Sequence, residues 1–252
     1  MRLRYPILFA ATLIFLLASL AANLYLFNQG EDYYLQLNEA RLDPLGLNNF
    51  PADISTVESG QPIILFYGDS RAMSWPSPDE LEDATFVNRG IGAQTSTQSW
   101  MRFGYHVAPL KPQIIILQIG INDLKTIPLF PERQQSLIEN SQHHIEQIVA
   151  AANDLGATVV LTTIFPVGEV PLQRRLFWSD AVSTAVDTVN TYLYSLVSEQ
   201  VIIFDAYSIL ANSDGLMRRE YSADELHINN AGYRALNQAL VPVLKTIMEG
   251  SS

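Results

Sequence analysis

Short apolar runs recur along the chain from residue 62 onwards, separated by longer stretches of mixed polarity. Five such runs occupy residues 63–67, 85–88, 114–119, 158–164 and 201–204, and they are rich in β-branched and aromatic residues. They are apolar at nearly every position instead of alternating with polar residues, which is typical of strands that are buried on both faces. The pattern therefore predicts about five β-strands.

Three longer segments carry apolar residues at helical spacing. In 131–155, 178–198 and 230–248 the apolar side chains recur every three or four residues. Parallel strands need long crossover connections, and helices between the strands supply them. The alternation of strands and helices predicts a three-layer α/β/α sandwich with about five parallel strands and helices on both faces of the sheet.

A charge-free stretch over residues 5–27 sets the N-terminus apart from the rest of the chain. About 20 apolar residues suffice to cross the hydrocarbon core of a bilayer. Arg2 and Arg4 precede the stretch and two acidic residues come after it, so the positive-inside rule keeps the N-terminus in the cytoplasm and exports the remainder of the chain. We expect residues 1–28 to form one transmembrane helix that anchors the protein to the membrane.

The same stretch is also compatible with a cleaved secretory signal that has a processing site near "ASLAAN". We favour the anchor because the apolar run continues beyond that site to Phe27. Both interpretations place the folded part outside the cytoplasm, membrane-anchored in one case and secreted in the other. Residues 29–60 are expected to be a connector with one short helix, and residues 61–248 the globular domain.

Composition and charge exclude several function classes. The formal net charge of −11 argues against binding nucleic acid or an anionic membrane surface through a basic face. The chain has no cysteine, which excludes disulfides, thiolate catalysis and cysteine-based zinc sites. His143 and His144 are adjacent in a helical pattern and lack the i, i+4 spacing of a zinc-binding pair, so we expect structural or solvent-facing roles for them.

Chemically reactive residues gather where the predicted strands end. "GDS" at 68–70 follows the first run, "NRGIG" at 88–92 the second and "GIND" at 120–123 the third, while "DELHINN" at 224–230 precedes the last helix. In open parallel sheets, ligands bind outside the carboxyl ends of the strands. We therefore expect these four segments to converge at one edge of the sheet.

The four segments contain the groups that ester hydrolysis needs. A serine hydroxyl becomes nucleophilic when a base takes its proton, and His227, oriented by Asp224 three residues earlier, is the candidate base for Ser70. The backbone N–H groups of Ser70 and Gly90 and the amide of Asn122 are candidate donors to the oxyanion of a tetrahedral intermediate. Each residue taken alone is equally typical of a turn or a helix cap. No G-x-S-x-G motif occurs, so the nucleophile elbow of α/β-hydrolases is absent.

Taken together, the four blocks resemble the SGNH (GDSL-type) hydrolase family in content and order, over about residues 62–245. The resemblance implies a serine ester hydrolase on a flavodoxin-like sheet, which needs neither a metal nor a cofactor. It also implies that Ser70 is the nucleophile, that His227 is the general base oriented by Asp224, and that Gly90 and Asn122 complete the oxyanion hole with the Ser70 N–H.

The substrate is less closely defined than the chemistry. Trp75, Phe165 and Trp178 could stack on a sugar ring or line an acyl channel, but each is equally compatible with ordinary packing. We expect short-acyl esters, such as acetyl groups on an envelope carbohydrate or a small molecule. The alternatives are lysophospholipase or thioesterase action on longer chains, acyl transfer, and a non-catalytic glycan-binding or scaffold domain. The sequence does not indicate an oligomeric state.

Overall fold

The structure is a computed structural model that describes residues 4–50 and 60–250. The chain divides into two compact units, residues 1–44 and residues 45–252. The first unit consists mainly of helix α1, Arg4–Leu42. An apolar window of this helix has a mean hydropathy of 2.3 and is entirely exposed, so α1 is long and apolar enough to cross a membrane. A signal sequence has the same properties.

Helix α1 differs from the predicted division of the N-terminal region. The connector was expected from residue 29, whereas the helix continues without a break to Leu42. The helix ends just before Pro44, because a proline disfavours helical backbone in the residue that precedes it. Residues 51–59 of the predicted connector lie outside the described residues, and so does Arg2, which precedes the apolar stretch.

The second unit is built on one sheet in which all paired strands are parallel, as predicted. The strand order is β2-β1-β3-β4-β5, which is the flavodoxin-like order. The strands are β1 Ile63–Gly68, β2 Thr85–Gly90, β3 Ile114–Gln118, β4 Thr158–Thr162 and β5 Val201–Phe204. The helices are α2 Ser70–Met73, α3 Ser96–His106, α4 Ile121–Leu124, α5 Gln134–Asp154, α6 Ala181–Leu193, α7 Ala206–Leu210 and α8 Asn230–Gly250.

Alternate strand residues enter two separate cores, one on each face of the sheet. Leu65 and Ile115 pack in the core that α3, α5 and α6 cover. Ile64 and Ile116 pack in the core that α7 and α8 cover. Because both faces are covered, the strands are apolar throughout, and the predicted three-layer sandwich is confirmed.

The strand order also fixes where a ligand would bind. From β1 the chain crosses to β2 on one side of it, and then returns to β3 on the other side. The two connections leave a crevice at the carboxyl ends of β1 and β3, which is the usual binding position in such sheets. The segments after these two strands contain Ser70 and Asn122.

Candidate active site

The turn that carries Ser70 is enforced by backbone packing at Gly68. This glycine has a φ of 147°, and a Cβ there would lie 1.7 Å from the Gln118 carbonyl oxygen of β3. The next residue, Asp69, caps α2 by accepting a hydrogen bond from the Arg71 N–H at 2.9 Å. Ser70 is therefore the first residue of a short helix at the end of β1, and its N–H has no acceptor within that helix.

A second turn places His227 beside this serine. Asp224 Oδ1 accepts hydrogen bonds from the N–H groups of Leu226 and His227, each at 2.7 Å. Asp224 Oδ2 lies 2.8 Å from His227 Nδ1, and His227 Nε2 lies 3.0 Å from Ser70 Oγ. The three side chains thus form a continuous hydrogen-bonded series, although Ser70 and His227 are 157 positions apart in the chain.

The electrostatic setting of this series favours the ionised form of Asp224. Partial burial would raise the pKa of Asp224, but the hydrogen bonds from His227 and Leu226 hold it below its usual value. The carboxylate is therefore ionised at neutral pH. The side chains of His227 and Asp224 are 41% and 46% exposed, so both are accessible from solvent.

Asn122 lies at the start of α4, just after the carboxyl end of β3. Its Nδ2 donates a hydrogen bond to the Gln94 carbonyl at 3.0 Å, which leaves a second hydrogen on the same nitrogen. The neighbouring Asp123 accepts hydrogen bonds from the N–H and Oγ of Ser96, at 2.9 Å and 2.7 Å. Burial raises the pKa of Asp123 to about 6, although the hydrogen bonds from Ser96 act to lower it. The contacts join α4 to α3 and fix the position of the Asn122 amide.

The backbone N–H of Gly90, a predicted oxyanion donor, has a hydrogen-bond partner within the fold. Its N–H donates a hydrogen bond to Asn88 Oδ1 at 2.8 Å and so is already engaged. A Cβ on Gly90 would lie 2.2 Å from the Met73 backbone nitrogen. The glycine is needed because α2 packs directly against the end of β2, and its N–H is not a free donor.

Ala93, which the sequence analysis does not single out, carries another backbone N–H in the loop between β2 and α3. It is an exposed residue with a φ of 62°, a conformation that alanine rarely adopts. It precedes Gln94, the residue that accepts the Asn122 hydrogen bond. Within residues 4–50 and 60–250, no group accepts a hydrogen bond from the Ala93 N–H. The sequence carries no signal for this, because a left-handed residue in a loop is normally glycine or asparagine.

The other sequence candidates lie in different surroundings. His144 lies on helix α5, and its Nδ1 is 3.3 Å from Thr97 Oγ1. Trp75 and Phe165 are buried in the core, 2% and 0% exposed, and do not line a channel. Trp178 borders a surface groove of about 910 Å³.

Replacing Asn122 with alanine should lower kcat for p-nitrophenyl acetate by roughly 10²–10³-fold with little change in KM, since the amide would donate to the oxyanion only in the transition state. Steady-state kinetics of the purified protein measures this. Asn190→Ala is the control, because this buried asparagine also hydrogen-bonds a backbone carbonyl, that of Ile164 at 3.0 Å. A loss of less than threefold in the Asn122 variant would remove it from this role.

The family model for the GDSL-like Lipase/Acylhydrolase family matches residues 59–235 of the chain. This range contains β1 to β5 together with Ser70, Asn122, Asp224 and His227. Among curated proteins, none matches the chain.

Solved structures share the fold of the second unit. A protein from Streptococcus pneumonia, described provisionally as a platelet activating factor, has a TM-score of 0.68 at 23% identity over 85% of this chain and 99% of its own. A GDSL-like lipase from Bacteroides thetaiotaomicron VPI-5482 has a TM-score of 0.59 at 18% identity over 79% of this chain and 94% of its own. An acetyl xylan esterase has a TM-score of 0.55 at 14% identity over 72% of this chain and 98% of its own. At these identities the likeness shows the fold alone.

Proposed function

Because the chain belongs to the GDSL-like lipase/acylhydrolase family, an ester-cleaving family, we propose that it is a serine esterase that removes short acyl groups, acetyl above all, from a carbohydrate or small molecule. In this proposal Ser70 is the nucleophile, His227 the general base and Asp224 the residue that orients it. The hydrogen-bonded series from Ser70 Oγ through His227 to Asp224 carries the proposal. A non-catalytic glycan-binding or scaffold domain would not need these three residues together.

The reaction proceeds in two steps of acyl transfer. Ser70 Oγ attacks the ester carbonyl while His227 Nε2 takes the hydroxyl proton, and the tetrahedral intermediate carries a negative oxygen. The N–H groups of Ser70 and Ala93 and the Asn122 amide donate to that oxygen. His227 then gives its proton to the departing alcohol, which leaves an acyl group on Ser70. A water molecule, deprotonated by His227, attacks the acyl carbon; the bond between this carbon and Ser70 Oγ breaks, the carboxylic acid leaves, and His227 returns the proton to Ser70 Oγ.

The openness of the site favours a short acyl group on a bulky alcohol. The exposed His227 and Asp224 side chains leave room for a polymer. Trp75 and Phe165 lie in the core, so they provide no apolar channel for a long chain. The fold shared with an acetyl xylan esterase is consistent with acetyl removal from a carbohydrate.

One observation favours the longer-chain alternative. Leu172, Leu176 and Phe177 lie on a 3₁₀-helix, Leu172–Phe177, and are 73%, 87% and 62% exposed. With Trp178 nearby, this apolar segment offers a surface for a fatty acyl chain. Lysophospholipase or thioesterase action is therefore the second candidate function. Acyl transfer would use the same acyl-enzyme, with a sugar hydroxyl in place of water.

A series of p-nitrophenyl esters from acetyl to palmitoyl separates these candidates. We expect kcat/KM to be highest for the acetyl or butyryl ester and at least roughly tenfold lower for the dodecanoyl ester, because Trp75 and Phe165, the aromatic residues considered for an acyl channel, are buried in the core. The Ser70→Ala variant supplies the background rate for each ester. A kcat/KM that rises with chain length would favour the longer-chain function.

We further propose that α1 anchors the enzyme to a membrane, with the hydrolase unit outside the cytoplasm. The charge-free stretch within α1 and the arginines before it support this arrangement. Cleavage of the same segment as a signal sequence would release a secreted enzyme. In both cases the substrate would be an ester of the cell envelope or its surroundings.

A further inference from the structure

Arg71, the residue after Ser70, is fully buried although arginine rarely is. It belongs to α2, so its backbone is part of the turn that carries the nucleophile. Its N–H donates to Asp69 Oδ1 at 2.9 Å, and its carbonyl accepts a hydrogen bond from the Tyr233 hydroxyl at 2.9 Å. The backbone of Arg71 is thus held from both sides, which fixes the origin of its side chain.

The side chain crosses from this turn to the segment that carries His227. Arg71 Nε donates a hydrogen bond to the Leu226 carbonyl at 2.8 Å, directly before His227 in the chain. Nη1 donates to the Phe165 carbonyl at 3.3 Å, and the guanidinium lies 5.1 Å from the Phe165 ring. One planar group therefore contacts the histidine segment and the loop after β4 at the same time.

The charge on Arg71 is retained in this buried position. Burial lowers its pKa to about 10, with Asp69, Tyr233 and Asp224 acting in the opposite direction, so the group is protonated at neutral pH. Burial raises the pKa of Asp69 to about 6, an effect that the positive charge of Arg71 reduces. Hydrogen bonds from a charged donor are stronger than those from a neutral donor. The hydrogen bond from the Arg71 guanidinium to the Leu226 carbonyl is of this stronger kind.

We propose that Arg71 is a positioning residue that holds the His227 segment at hydrogen-bonding distance from Ser70. The inference rests on the proposed esterase function. Ser70 and His227 come from distant parts of the chain. Arg71 directly follows Ser70, and its side chain donates a hydrogen bond to Leu226, which directly precedes His227. Without it, the 3.0 Å contact between Ser70 Oγ and His227 Nε2 loses a direct support.

Arg71→Met tests the proposal because methionine fills much of the space but cannot donate a hydrogen bond. We expect kcat for p-nitrophenyl acetate to fall by about tenfold to a hundredfold, as small misplacements of catalytic groups do, with KM within about twofold of wild type. Leu244→Ala is the control, since Leu244 is fully buried in α8. It should lower the unfolding temperature while leaving kcat unchanged. A folded Arg71→Met with the kcat of this control would overturn the proposal.

Arg71→Lys keeps the charge but replaces the planar fork by a single ammonium, which cannot reproduce both carbonyl contacts. If Arg71→Met does not fold, the kinetics of Arg71→Lys test the proposal in its place. A kcat lowered threefold or more with unchanged KM supports the proposal, and an unchanged kcat overturns it.

A measurement independent of turnover keeps this inference separate from the esterase function. The imidazole Nε2 resonance of His227, identified by its absence in His227→Ala, reports the contact with Ser70 Oγ in the wild-type protein. We expect Arg71→Met to shift or broaden it, whereas Leu244→Ala should not. An unchanged resonance in Arg71→Met would count against the positioning role even if no ester were hydrolysed. Absence of wild-type turnover on every ester would instead contradict the proposed function.

Discussion

Replacing Ser70 with alanine should lower kcat for p-nitrophenyl acetate by about 10⁴-fold or more, the size of effect found when a nucleophile that works as part of a unit is removed. The variant keeps the oxyanion donors and His227, but no oxygen remains to form the acyl-enzyme. A fluorophosphonate should label the wild-type protein and leave the Ser70→Ala variant unlabelled. Both the steady-state rate and the labelling are measured on the full chain.

The control for this substitution is Ser136→Ala. Ser136 is an exposed serine of α5 whose hydroxyl donates to the Arg133 carbonyl at 2.9 Å, and nothing connects it to the crevice. It should keep wild-type activity, and both variants should unfold at the wild-type temperature. Undiminished turnover in a folded Ser70→Ala protein would eliminate this serine as the nucleophile.

The sheet could be predicted because each strand has its own local signal. Runs such as 63–67 and 201–204 are apolar on both faces, and the structure places β1 and β5 there. The helices α5, α6 and α8 were predicted from apolar spacing to within a few residues at most ends. Strand order was not readable from spacing, since it depends on which edges meet in the folded state; the family resemblance implied only a flavodoxin-like sheet.

The extent of α1 was missed for a different reason. Residues 29–42 are polar and carry no apolar stripe, so the pattern resembles a connector. A helix that has already formed extends at little cost through residues without proline, since only its first turn is unfavourable. It therefore continues to Leu42, shortly before Pro44.

The predicted site residues are of two kinds, those proposed to act through a side chain and those proposed to act through a backbone N–H. Ser70, Asp224 and His227 carry reactive side chains, and the structure brings them within hydrogen-bonding distance of one another. A backbone N–H has no side-chain signal, so the sequence does not distinguish Gly90 from Ala93 as an oxyanion donor. The structure shows close packing of α2 against Gly90, which accounts for glycine at this position.

Arg71 illustrates a further limit of sequence interpretation. In the sequence it is one more charged residue after a turn, and charged residues are normally solvent-exposed. Its meaning depends on the Leu226 and Phe165 carbonyls, which come from segments far along the chain. Only the fold shows that the residues on either side of the proposed nucleophile, Asp69 and Arg71, are buried.

Replacing His227 with alanine should reduce kcat about as much as Ser70→Ala, roughly 10⁴-fold or more, because the hydroxyl of Ser70 then has no base. The double variant should lose little more than either single one, since the two side chains act as one unit. His143→Ala is the control, an exposed histidine on α5 that has no part in the Ser70–His227–Asp224 series and should retain full activity. Kinetics of the three variants and the double variant give these comparisons.

The exposure of the imidazole adds a second test of its role. The His227 side chain is 41% exposed, so its removal opens a space that solvent can reach, and added imidazole should restore part of the activity of His227→Ala. Hydroxide can also take the serine proton, so the residual rate of this variant should rise with pH. Imidazole should not rescue Ser70→Ala, which lacks the oxygen that the base would activate. If His227→Ala retained wild-type activity without imidazole, another group would have to be the base, and the arrangement at the carboxyl ends of β1 and β3 would lose its proposed chemistry.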